Sequence, residues 1–121
     1  AEQGEAGSGG EAVLEGTANW AAPEVLRGDA YTDKADCYAL ALVVWEVFAH
    51  RVPFEELMTR EAVRTAVLDG TRPPLSSASG MPERVMALLR RAWSNDPAQR
   101  PTAGEMLQVL ESCELEGGDD V

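Results

Sequence analysis

From Tyr38 to Ala49 the chain reads YALALVVWEVFA, twelve residues with a single charge, Glu46. A helix built from this run has no polar face to turn to water, so the pattern predicts burial all round rather than along one stripe. That one expectation constrains the fold more than anything else in the 121 residues. Other helices must be placed around it, and the chain is long enough for only one domain in which to do so. The run is also too short for a bilayer, which takes about 20 residues, and no signal-peptide pattern opens the chain. It reads as a core helix.

The neighbours it needs are well punctuated. Pro23 suits the first turn of a short helix, PEVLRG, closed by Gly28. Thr32 or Asp33 can cap the long helix, predicted from about Lys34 to Ala49, and HRVPF at 50–54 breaks it at Pro53. Thr59 caps a helix to about Asp69, with Ala62, Val63, Ala66 and Val67 on one side. GTRPPLSSASG at 70–80 is loop by composition. Val85, Leu88, Leu89, Ala92 and Trp93 repeat at helical spacing. The run TAGE at 102–105 has the form of a capping box, opening a last helix with Met106, Val109, Leu110 and Cys113 on its apolar stripe. No segment alternates as a strand would, so the expected class is all-α, around one central buried helix.

Charge separates the ends from the middle. The net charge is −11, yet residues 31–110 hold ten acids and nine bases and are nearly neutral. The excess lies in residues 1–30 and 111–121. Residues 1–14 read as a flexible acidic segment, and 113–121 as an acidic disordered tail, since neither has enough apolar surface to offset its ordering entropy. Acidic ends with no basic stripe argue against nucleic-acid and membrane partners. Cys37 and Cys113 lack the spacing of a disulfide framework or zinc site, and fit reduced thiols in a cytoplasmic protein. His50 is the only histidine, which leaves little for a metal site or a triad.

Four motifs stand in order: GTANWAAPE (16–24), DKADCYALALVVWEVF (33–48), VPF (52–54) and AWSNDPAQRPT (92–102). Together they resemble the C-terminal lobe of a eukaryotic protein kinase, from the end of the activation segment to the last helix, over residues 15–112. The resemblance implies a partial kinase domain. It makes Gly16, Thr17 and Trp20 part of the substrate-positioning loop, and Ala22, Pro23 and Glu24 the structural Ala-Pro-Glu motif. Glu24 would pair with Arg100 as carboxylate and guanidinium; as an isolated residue it also fits a helix-start acid favoured by the dipole. Asp36 would accept hydrogen bonds from the backbone of the catalytic loop. Without that loop it would be a costly unpaired carboxylate.

Gly16-Thr17 favours a Ser/Thr kinase, whereas Trp20, Trp45-Glu46 and the run 93–101 are similar to tyrosine kinases. The mixture resembles the tyrosine-kinase-like group of Ser/Thr kinases. Ala21 and Ala41 depart from the methionine and glycine usual there. Ser8, the only hydroxyl before Thr17, is a candidate phosphosite, although a serine in a Gly-rich linker reads more simply as linker.

The parts that carry phosphoryl transfer are not in the sequence: no glycine-rich loop after a strand, no strand lysine, no His-Arg-Asp and no Asp-Phe-Gly. The expected reading is therefore a C-terminal portion of a kinase that binds no cofactor itself and is inactive alone. ATP and magnesium are implied for the parent. Its expected partners are the N-terminal half of the kinase domain and protein substrates. The alternative is a non-catalytic, kinase-derived helical interaction module. In either case the uncovered central helix should expose an apolar patch.

Overall fold

The computed structural model describes residues 18–78 and 80–120. Five α-helices occur there: α1 (Pro23–Arg27), α2 (Asp33–Ala49), α3 (Arg60–Leu68), α4 (Glu83–Ala92) and α5 (Ala103–Asp120). Short 3-10 turns lie at Ala18–Trp20, Leu75–Ser77 and Pro97–Gln99. No strand occurs among the described residues, and no helix there is long and apolar enough to cross a membrane.

Local chemistry sets the helix ends. Pro23 stands at the first position of α1. Gly28, at φ 86°, ends it with hydrogen bonds from Gly28 N–H to the Val25 carbonyl and from Asp29 N–H to the Glu24 carbonyl. This paired arrangement needs a left-handed residue, which glycine supplies without a Cβ penalty. Thr32 caps α2 by accepting from Lys34 N–H, and Thr59 caps α3 by accepting from Ala62 N–H. At α5, Thr102 Oγ1 accepts from Glu105 N–H at 3.1 Å and Thr102 N–H donates to Glu105 Oε1 at 2.7 Å, a complete capping box.

Helix α2 is the post of the fold, in contact with α4, α5 and all three 3-10 turns. Its inner residues Tyr38, Ala41, Leu42 and Trp45 pack with Val63 and Val67 of α3, with Val85, Leu88 and Leu89 of α4, and with Met106 of α5. The Trp45 indole N–H donates to the Pro74 carbonyl at 2.9 Å, so the largest core ring also ties down the 71–78 loop.

Three features bear on the sequence expectation. Burial of α2 is one-sided: Leu40, Val43 and Val47, spaced along one face, remain 36%, 44% and 62% exposed. The described helices pack against one side of the post, and its outer side is left apolar and open. Helix α2 ends at Ala49, where the sequence predicts. His50 adopts φ 58° and stops it, with His50 N–H bonded to the Glu46 carbonyl. Finally, the α5 helix runs on to Asp120, through the stretch expected to be disordered; Glu114, Leu115 and Glu116 are good helix formers.

The two faces of α2 should respond differently to substitution. Leu42→Ala, at a fully buried position, is expected to cost about 2–5 kcal/mol in urea unfolding. Val47→Gln is expected to stay within about 0.5 kcal/mol of wild type while lowering the binding of a hydrophobic dye. A loss at Val47 comparable to that at Leu42 would mean the outer face is covered after all.

Candidate functional site

Glu24 and Arg100, 76 positions apart, meet in the interior. The guanidinium donates through Nη1 to Glu24 Oε2 and through Nη2 to Glu24 Oε1, each at 2.8 Å. The residues are only 5% and 3% exposed. Such a pair is tolerable only when its other polar atoms are satisfied. Here Arg100 Nε donates to the Ser94 carbonyl at 2.9 Å and Nη1 also to the Lys34 carbonyl at 3.0 Å. The chain's only lysine completes the exchange, with Lys34 Nζ donating to the Arg100 carbonyl at 2.9 Å and to the Pro97 carbonyl at 3.4 Å. Burial pushes the Glu24 carboxyl up. Hydrogen bonds from Arg100 and its own backbone N–H, with the charges of Arg100 and Arg27, outweigh that and hold it below the usual carboxylate range.

Beneath the pair lies Tyr38. Arg72 Cζ and Arg100 Cζ sit 5.2 and 5.3 Å from its ring centroid, within cation–π range. Arg72 is held by the carbonyls of Trp93, Val67 and Thr71 and by the Asn95 side chain. The Tyr38 hydroxyl is buried with no hydrogen-bond partner. Burial raises its pKa to about 12, against the pull of both arginines.

The turn Ala18–Trp20 is fastened to the far end of α2. Trp20 Nε1–H donates to Glu46 Oε1 at 3.1 Å, and Asn19 Nδ2–H donates to the Pro53 carbonyl at 2.8 Å. On the other side of Trp20 a groove of about 260 Å³ is lined by Ala21, Val25, Tyr31, Ala35 and Ala39. Ala22 lines it too, and Ala22, Pro23 and Glu24 are buried.

Asp36 is not the sealed, unpaired carboxylate expected. It lies exposed on the first turns of α2 and accepts a hydrogen bond from the Tyr31 hydroxyl. Water and this phenol remove the cost that an isolated buried charge would carry. Gly16, Thr17 and Ser8 lie outside the described residues. Sequence reasoning missed Lys34, Tyr38, Arg72, Asn19 and Glu46 as network members. Only Glu46 announced itself, as the one charge in an apolar run. Among the described residues no three His, Cys, Asp or Glu side chains converge as metal ligands would. The arrangement fastens loops together.

The order of these elements around an apolar post, closed by a buried Glu-Arg pair, is that of a kinase C-lobe. The family model for protein tyrosine and serine/threonine kinases matches residues 9–110, and the chain belongs to that family. Among curated proteins it is similar to mitogen-activated protein kinase kinase kinase 7 of Homo sapiens, 38% identical over 96 residues, or 78% of this chain and 16% of that protein. It is also similar to a protein of Dictyostelium discoideum named probable serine/threonine-protein kinase drkB, 35% identical over 106 residues, covering 88% of this chain and 15% of that protein. The chain thus spans about a sixth of the length of these relatives.

Two substitutions separate the roles in the buried network. Arg100→Ala leaves the Glu24 charge uncompensated and is expected to cost about 3–5 kcal/mol, with Arg100→Lys rescuing little because the two-pronged contact is lost. Tyr38→Phe removes an unsatisfied hydroxyl and is expected to be neutral or stabilising by up to about 1 kcal/mol. A clear loss would reveal a partner for that hydroxyl. Because Glu24 titrates lower folded than unfolded, its contribution is complete above the unfolded carboxylate value, about 4.3. It is lost as pH falls through the lower folded value. Acid unfolding monitored by circular dichroism should therefore begin at higher pH in the wild type than in a Glu24→Gln/Arg100→Met double variant.

Proposed function

We propose that this chain is the C-terminal portion of a Ser/Thr protein kinase of the tyrosine-kinase-like group, with residues 15–112 forming the partial kinase domain. The parent transfers the γ-phosphate of ATP to Ser or Thr of protein substrates. The observation that carries this reading is the family match over residues 9–110, joined to a relative named probable serine/threonine-protein kinase. Gly16-Thr17 supports the same choice from the sequence.

The described residues do not fit ATP or magnesium. They contain no strand, no glycine cradle at a helix start and no acidic cluster of metal-ligand geometry. In the parent, both would be held by polypeptide other than these helices, and this chain would supply the floor on which the protein substrate is presented. The N-terminal half of the kinase domain is accordingly its first partner. The open face at Leu40, Val43 and Val47 is where a covering segment would gain most apolar burial. We place the parent in the cytoplasm, a location supported by two cysteines without disulfide spacing.

The test is the mass and activity of the native protein. An antibody raised against residues 80–121 should detect a band well above 13.0 kDa. The captured protein should phosphorylate a Ser/Thr protein substrate with ATP and magnesium, while the 121-residue chain alone should not. A single band near 13.0 kDa with no activity would replace this reading with a non-catalytic interaction module.

A further inference from the structure

We infer that Lys34 is a gated acylation site. An acyl thioester such as acetyl-coenzyme A reaches its amine when the turn before α5 moves away, and the acylated side chain then keeps that turn from seating again. Lys34 is the only lysine among the 121 residues, so side-chain amine chemistry in this segment has one target. The site stands whether or not the kinase reading does.

The seat of the amine is built from backbone. Lys34 is half-buried, and its Nζ donates to the Arg100 carbonyl at 2.9 Å and to the Pro97 carbonyl at 3.4 Å. Both acceptors are uncharged, and the Pro97 carbonyl already accepts from Arg100 N–H at 3.1 Å. Lys34 also stands in the first turn of α2, where the helix dipole disfavours a cation. The ammonium is therefore held by one good hydrogen bond and one long one. Such a contact opens locally at far less cost than the fold as a whole.

Arg100 grips the same residue in return. Its Nη1 donates to the Lys34 carbonyl at 3.0 Å while it bonds Glu24, so the two residues hold each other in both directions beside the buried ion pair. In the reaction the unprotonated Nζ attacks the thioester carbonyl carbon. A C–N bond forms, the C–S bond breaks, and the departing thiolate takes up the proton that nitrogen loses. The product has one N–H, no charge, and added acyl bulk at a half-buried position. It no longer bonds both carbonyls, and the junction between α1 and the segment entering α5 loosens.

Acetyl-coenzyme A is the probe, applied to the full-length protein carrying this segment, native and in urea. Trypsin cuts after Arg27 and Arg51, and after Lys34 only when that amine is free, so acylation is read as an uncut peptide of residues 28–51. Native Lys34 should be acetylated about tenfold to hundredfold more slowly than in urea, the worth of its two hydrogen bonds. The treatment should lower the wild-type melting temperature by about 2–4 °C more than that of Lys34→Arg, whose other amines react alike. Equal rates in the native protein and in urea would overturn the gate. No native acetylation while the urea sample reacts to completion would overturn the site. Acetylation at Lys34 with no extra loss of melting temperature would overturn its effect on the junction.

Discussion

The buried contact between Glu24 and Arg100 is what the remaining architecture depends on. It joins α1 to the segment leading into α5. Isolated, two charges at this depth would be a liability. They are tolerable because nearly every prong is occupied: both carboxylate oxygens, the Ser94 and Lys34 carbonyls, and the ring of Tyr38 below. Lys34 reinforces the same junction from its other side by bonding the Arg100 carbonyl. The pair also decides where α1 sits, and hence where the turn Ala18–Trp20 emerges.

That turn is then caught a second time, at the opposite end of α2, through Asn19 and Trp20. The chain entering α1 is thus held at two places, by Arg100 near the start of α2 and by Glu46 and Pro53 near its end.

Much of the helical layout was legible in the sequence because caps are local. Pro23, Gly28, Thr59 and the Thr102–Glu105 box each act within one turn of the chain, and their partners are a few residues away. What was not legible was non-local. Nothing near Arg72, in a Pro-rich loop, reveals that it lies over Tyr38. Nothing near Asn19 points to Pro53. The end of α2 at Ala49 was legible from the HRVPF stretch that follows it, but the stop itself is His50 in the left-handed region. Asp36, which the resemblance pairs with a catalytic loop this sequence does not contain, sits exposed at the start of the helix, where the Tyr31 hydroxyl reaches it. The family resemblance drew attention to the segment before Ala-Pro-Glu, yet the bonds that hold the turn Ala18–Trp20 belong to this chain's own side chains.

Helix α2 poses a last question of orientation. A helix apolar around its whole circumference gains nearly the same burial whichever side it turns inward, so hydrophobicity does not choose its rotation. The choice falls to a few directional contacts: the Trp45 indole on the Pro74 carbonyl, Tyr38 between two guanidiniums, and Glu46 beneath Trp20. These act as keyways on a smooth shaft. The oily surface supplies the force that seats the helix, and a handful of polar atoms supplies the angle at which it stops.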